Sequence, residues 1–194
     1  MELSERQIEI IDAATNLIGA KGIQNLTTKN LAAEMGFSEP ALYRHFKGKT
    51  EILESVLIYY KEKLREGLTS VIHSGLTGIE KIKALIEFQF NHFSKYPAVI
   101  MVIFAETSFQ YDNVLSKSVS KIMLQKKEMV SEIVRSGQEE GSIRNDIEAG
   151  QLATIIMGSM RFTVLRWRLS DFNFDLIKEG KSLFNTIELL IKKV

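Results

Sequence analysis

The chain has 194 residues, 45% of them apolar, and a formal net charge of +1. That apolar share is enough for a continuous core, in one compact domain or in a small domain fused to a larger one. The near-neutral charge excludes a globally basic nucleic-acid binder, so any attraction to DNA has to be local. Cysteine is absent, which removes disulfides, thiolate nucleophiles and thiolate metal sites and fits a reducing cytoplasm.

The N-terminus, Met1 to Arg6, carries acidic residues and no apolar signal core. The longest apolar run, Ala98 to Ala105, is far shorter than the roughly 20 residues of a membrane helix. The expected location is the cytoplasm, with no membrane partner. The two prolines, Pro40 and Pro97, leave room for long helices, because proline breaks the helical hydrogen-bond ladder.

In chain order, Ser4 and Gln7 form a capping box ahead of a first helix that carries Ile10, Ala14, Leu17 and Ile18 and stops at Gly22. Thr27 or Thr28 caps a short second helix with Leu31, Ala32 and Met35, closed by Gly36. Ser38 opens a third, with Pro40 tolerated in its first turn and Leu42 and Phe46 on its apolar side. Lys47-Gly48-Lys49 breaks the pattern. A fourth helix, about 50–66, carries Ile52, Leu53, Val56, Leu57 and Tyr60, and glycines 67, 75 and 78 thin the pattern after it. Thr77 and Glu80 form a second capping box before a fifth helix with Ile79, Ile82, Leu85, Ile86 and Phe93. Tyr96-Pro97 opens a sixth, from 98 to about 108. A seventh spans about 112–139, Gly141 to Asp146 connects, and two more cover about 148–169 and 174–193. The reading is all-α: a three-helix DNA-binding module over 1–50, a linking fourth helix, and a helical ligand-sensing and dimerisation domain over 51–194, about nine helices in all.

Residues 28–38 have the composition of a helix-turn-helix. Ala32 and Ala33 provide the small side chains that close helix packing needs, Gly36 the positive φ of a tight turn, and Phe37 a plug for the corner. Ser38 is placed to cap the next helix and leave its N-terminal side chains free for a major groove. Thr28 suits a phosphate hydrogen bond and Lys49 a phosphate charge contact; such groups position a protein without reading sequence. On residue type alone Tyr43 and Phe46 are core candidates and His45 a surface histidine. Ser38, Glu39, Pro40, Ala41 and Arg44 are candidates for base-edge contact, and Lys29 for backbone or base. Glu39 either repels phosphate or accepts from a cytosine. The first 50 residues hold six Lys/Arg and six Asp/Glu, so one module is weakly attractive and two are expected to act together.

The segment Ala41-Leu42-Tyr43-Arg44-His45-Phe46-Lys47-Gly48-Lys49-Thr50-Glu51-Ile52-Leu53 closely resembles the signature of the tetracycline-repressor (TetR) family. That pattern is a tyrosine, any residue, His-Phe, a short basic link, and a lysine opening a leucine-containing helix. The likeness reaches back to Ile11, Ala14, Lys21-Gly22 and Thr27-Thr28, and covers about residues 6–58. It implies double-stranded DNA as partner, with DNA contacts from Thr27 through Lys29, Ser38 through Ala41, and Tyr43, Arg44, His45, Lys47 and Lys49. It also implies a homodimer on a near-palindromic operator, with release by a small apolar or amphipathic molecule of unknown identity.

In the body, the eighth helix is apolar nearly all round and the ninth carries a strict apolar stripe. The family resemblance makes these two the dimer interface, with Gly158, Ser159, Leu165, Gly180, Leu183, Phe184, Ile187 and Ile191 facing the partner; packing within one subunit is the other reading of the same stripes. Phe88, Met101, Phe104, Phe109, Met123, Met157 and Met160 are large, soft side chains of the kind that line adaptable pockets or fill ordinary cores. Gln89, His92, Glu106 and Arg161 are polar groups that could orient a ligand there. Arg161 either pairs with a carboxylate such as Glu106 or faces a ligand or partner.

The three histidines, His45, His73 and His92, have no metal-ligand spacing, and no phosphate loop or nucleophile motif occurs. No enzyme activity, cofactor or metal is expected. The competing function is an architectural, nucleoid-associated adaptor that uses the same head without a small-molecule inducer.

Overall fold

The computed structural model describes residues 3–109 and 111–193. Its elements are all helical: α1 (Glu5–Lys21), a single 3-10 turn (Ile23–Asn25), α2 (Thr28–Glu34), α3 (Glu39–Tyr43), α4 (Lys49–Ile72), α5 (Gly78–Lys95), α6 (Pro97–Ile103), α7 (Glu106–Phe109), α8 (Asn113–Glu140), α9 (Ala149–Leu169) and α10 (Leu176–Ile191). None of the described helices is long and apolar enough to cross a membrane.

The helix starts follow local chemistry. Ser4 accepts from the Gln7 N–H while the Gln7 side chain takes the Ser4 N–H, and Thr77 and Glu80 repeat the arrangement before α5. Thr27, not Thr28, caps α2, its hydroxyl accepting from Asn30 N at 3.0 Å. Asp112 caps α8 through Val114 N and Leu115 N. The expected sixth helix is two pieces, because α6 ends at Ile103 and a short turn of helix, α7, precedes α8.

The chain forms two compact units. The first runs to Lys63 and includes Tyr96–Lys121; the second is Leu64–Lys95 with the chain from Ile122 onward. The first unit is therefore larger than the 1–50 module read from the sequence. Its core is built on α1, where Ile10, Ile11, Ala14 and Ile18 are buried to the last few per cent along with Leu31, Leu42 and Phe46. Helix α6 packs on α1, and the approach is so close that a Cβ added to Gly19 would lie 2.7 Å from the Ala98 Cβ. Two side-chain hydrogen bonds join α4 to the start of α8: Thr50 Oγ1 donates to Asp112 Oδ2 (2.9 Å) and Ser118 Oγ to Glu54 Oε1 (2.7 Å). Tyr60 of α4 also donates to Asp12 of α1.

In the second unit α10 packs against both α5 and α9. Gly67 does not end α4; it makes room for the Phe88 ring, whose Cζ would lie 2.0 Å from an added Cβ. Helices α5 and α8 touch backbone to backbone at Gly78 and Gly137. The connector after α8 is held by the Gln138 carboxamide, which donates to the carbonyls of Arg144 and Ile147, and by an isolated bridge between Ile143 and Lys192. Between α9 and α10, Asp171 and Phe172 both take positive φ (53° and 61°). That conformation is costly for residues with a Cβ. It is held by the Trp167 indole N–H, which donates to Phe174 O at 2.8 Å, and by the edge of Phe172 against the Trp167 ring.

A Cβ on Gly78 would sit 2.5 Å from the Gly137 Cα, and backbone cannot yield as a side chain end can. Gly78→Ala is expected to destabilise the protein by about 1–3 kcal/mol, the usual cost of forced overpacking. Chemical denaturation of the two proteins checks it.

Candidate DNA interface and a polar cluster in the body

Helices α2 and α3 meet through the turn at Gly36, whose φ is +67°. Phe37 N returns to Ala32 O at 2.8 Å. Ala32 is the small residue under the crossing, at 2% exposed, whereas Ala33 faces solvent. Phe37 is half-buried in the corner, with the Arg6 guanidinium 5.1 Å from its ring centre.

Ser38 occupies the N-cap backbone position of α3 but makes no side-chain cap bond. The cap acceptor normally serves the second or third helical N–H, and the second residue here is Pro40, which has none. The Ser38 hydroxyl therefore stays at the exposed surface beside Pro40, with Arg44 exposed one turn on. Glu39 turns sideways: its Oε1 accepts from Thr28 Oγ1 at 3.4 Å. Thr28 Oγ1 also lies 3.4 Å from the Tyr43 Oη. Tyr43 is 51% exposed while its neighbours Leu42 and Phe46 are buried, so the phenol stands on the outer face with its hydroxyl steadied by Thr28.

Lys49 Nζ rests on Ile23 O at 3.4 Å from the first turn of α4. Gln7 anchors the far end of the module, donating to the His45 carbonyl at 3.3 Å. The His45 and Ala41 side chains are half-buried, and Lys29 and Lys47 are exposed. Thr27, spent on its cap, is held at the start of α2. One short surface thus gathers hydroxyls, a phenol and cations around α3. That is the mixture expected of groups that position a phosphate backbone.

The profile of bacterial regulatory proteins of the tetR family matches residues 10–56, and that of the YsiA-like C-terminal region matches residues 60–192. The chain belongs to the TetR family. It is a helix-turn-helix, DNA-binding transcriptional regulator. It is 25% identical over 194 residues to the fatty acid metabolism regulator protein of Bacillus subtilis (strain 168), covering 97% of this chain and 95% of the relative. It is 22% identical over 190 residues to the nucleoid occlusion factor SlmA of Vibrio vulnificus (strain YJ016), covering 97% of each. Among solved structures, the transcriptional regulator FadR from Bacillus subtilis in complex with stearoyl-CoA has the same fold. Its TM-score is 0.80 at 23% identity, and the match covers 93% of this chain and 96% of that one.

The effector residues expected from the sequence of this TetR regulator separate between the two units. Met101, Phe104 and Phe109 belong to the first; Phe88, Gln89, His92, Met123, Met157, Met160 and Arg161 belong to the second. The Glu106 side chain lies outside the described residues. Met123 is 41% exposed, whereas Met160 and Phe109 are buried. In the second unit Phe88 stacks on His92 (6.4 Å between ring centres), and burial, with a contribution from Lys95, holds the His92 imidazole below its ordinary range. A cleft of about 310 Å³ lined by Glu87, Phe90, Asn91, Ile177, Gly180 and Lys181 opens between α5 and α10 and contains none of the expected effector residues.

Sequence reading missed Lys126. It is one of three charged residues in the run Lys126-Lys127-Glu128 on a helix with a mostly polar surface, and nothing in that pattern sets it apart. Its Nζ donates to the Oε1 of Gln89 at 2.6 Å, and Gln89 is buried. Desolvation, and then the nearby positive charge of Arg161, pull the ammonium down to about 8.

The α10 stripe packs largely within the subunit. Phe184, Ile187 and Ile191 are buried within the subunit, and Gly180 faces Phe90, whose ring an added Cβ would meet at 2.5 Å. A perfect apolar stripe marks the face that fills a subunit's own core as readily as one that meets a partner. Leu165 and Leu183 are half-buried, and Ser159 bonds back to Ile155 O. The exposed large apolar residues of these helices are Ile155, Phe162 and Leu169, spaced by seven along α9, and Ile177, Leu189 and Leu190 on α10. Gly158 lies among the first three with nothing within 4 Å of an added Cβ.

Because the folded state disfavours the Lys126 ammonium, it releases that proton near pH 8 while the unfolded chain keeps it to about 10.5. The wild-type protein therefore gains stability from this group as pH rises through that window. Lys126→Met is expected to be the more stable protein at pH 7, by about 1 kcal/mol at this half-buried site. The advantage should vanish between pH 8 and 10.5, as followed by thermal melts across pH.

Proposed function

We propose that this regulator is a homodimeric repressor that leaves its operator when an amphipathic small molecule binds the helical body. The observation that carries the DNA half is the surface around α3. A buried Leu42 and Phe46 fix the helix, Tyr43 is exposed beside Thr28, and Lys49 opens α4; the chemistry of these three supports contacts to backbone phosphates. Ser38, Pro40, Ala41 and Arg44 are the side chains offered to base edges. Glu39, engaged by Thr28, has less freedom to repel a phosphate. The effector half draws on the soft Phe and Met side chains of the body, and on the Bacillus subtilis relative whose structure holds stearoyl-CoA.

Two heads are needed because one is weakly charged, and two-fold symmetry calls for half-sites about one turn, roughly 34–36 Å, or a multiple apart. The second copy is proposed to sit on the outward face of α9 around Ile155, Gly158 and Phe162. Coupling follows linkage: an effector worth about 1–3 kcal/mol of coupling lowers DNA affinity roughly 5–150-fold, and DNA weakens effector binding by the same factor. Titrating an acyl thioester with and without operator tests this, and equal affinity in both titrations would rule the switch out. The likeness to the nucleoid occlusion factor favours the architectural reading as the alternative. Genome-wide binding maps separate the two: a few promoter sites for the repressor, many dispersed sites for the adaptor.

Lys49→Ala is expected to weaken binding to operator and to unrelated DNA alike, and to reduce the magnitude of the salt slope by about one per subunit. Fluorescence anisotropy at several salt concentrations measures both.

Phe162→Glu puts a charge on a side chain 61% exposed in the subunit. It is expected to yield a folded monomer with weak operator binding. Ile187→Glu, at a buried position, should unfold the subunit instead. Sedimentation and circular dichroism distinguish the two results, and a Phe162→Glu protein that remains a dimer would exclude this face.

A further inference from the structure

The polar cluster on α5, α8 and α9 is built against the stability of the subunit. Lys126 is a partly desolvated ammonium whose hydrogen-bond partner is a neutral carboxamide, Gln89 Oε1 at 2.6 Å. The charge that most affects it is another cation, Arg161. Among the described residues no carboxylate pairs with Lys126. An ammonium removed from water is costly unless an opposite charge meets it. Folding could have been served better at this place by a methionine, which fits the same stem. An ammonium has three donors, and Gln89 takes one of them. Gln89 itself is buried, and its amide can rotate to offer N–H in place of oxygen.

We propose that Lys126, with Gln89, is the polar anchor of the effector site and holds an anionic oxygen of the ligand, a carboxylate or a phosphate. This rests on the reading of the body as the site of an amphipathic effector, and it adds the sign and chemistry of the ligand's polar end. The ligand's anion supplies the counter-charge that the fold withholds. The Gln89 amide supplies an N–H. Charge-assisted bonds of this kind are short and about twice as strong as neutral ones. A cationic head is repelled by the Lys126 ammonium, and a neutral alcohol gains only an ordinary hydrogen bond.

The test is calorimetric titration of the full-length protein at pH 7 with three probes sharing one apolar chain: dodecanoate, dodecanoyl-CoA and dodecanol. Wild type is expected to bind at least one anionic probe, and Lys126→Met to weaken that probe about 10- to 100-fold while changing dodecanol less than about threefold. Lys126→Arg should keep most of the affinity. Loss confined to dodecanoate assigns a carboxylate, and loss confined to dodecanoyl-CoA a phosphate. Thermal melts of Lys126→Met, expected at or above wild type, separate a lost contact from a lost fold. If Lys126→Met binds the anionic probes as wild type does, or loses dodecanol equally, the anchor is wrong and the effector reading stands. If wild type binds none of the three probes, the effector reading fails and takes the anchor with it.

Discussion

The DNA-reading unit depends on the contact between Gly19 of α1 and Ala98 of α6, where no larger residue fits. Helix α1 is the stave on which α2 and α3 collapse, and Ile10, Ile11, Ala14 and Ile18 are almost wholly withdrawn from water. A three-helix module of about 50 residues buries little apolar surface by itself. Here α1 has a second face to spend, and α6 covers it. The hydrogen bonds Thr50–Asp112 and Ser118–Glu54 then join the beginning of α4 to the beginning of α8. The unit that contains α3 therefore includes Tyr96–Lys121, far beyond α3 in the sequence.

Helices α4 and α8 each begin in the first unit and continue into the second. Lys49 stands on the first turn of α4, and Thr28 steadies Tyr43 and occupies Glu39.

The body shows where stability and function part. Most of its interior is apolar and closely packed, with helix pairs brought together at Gly78, Gly137 and Gly180. Lys126 is one departure from this among the described residues, a half-buried cation facing an amide. The strained pair Asp171 and Phe172 is a different kind of exception, because Trp167 and its bond to Phe174 O account for how it is held.

The sequence by itself determined what local chemistry controls: the helices and their caps at Ser4 and Thr77, the positive-φ turn at Gly36, and the segment 41–53 that carries the family signature. These are readable because capping, turns and helical periodicity involve residues a few positions apart. The tertiary structure alone decided the rest. It separated Ala32 from Ala33, turned Phe184, Ile187 and Ile191 inward, and left Ile155 and Phe162 outward. It made Gly67 a seat for Phe88 in place of a helix end, and brought Lys126 onto Gln89. An apolar stripe states that a face is buried but not against what, and a lysine in a polar run carries no mark of the neighbour 37 positions away that accepts its hydrogen bond. Both are properties of distant residues made adjacent.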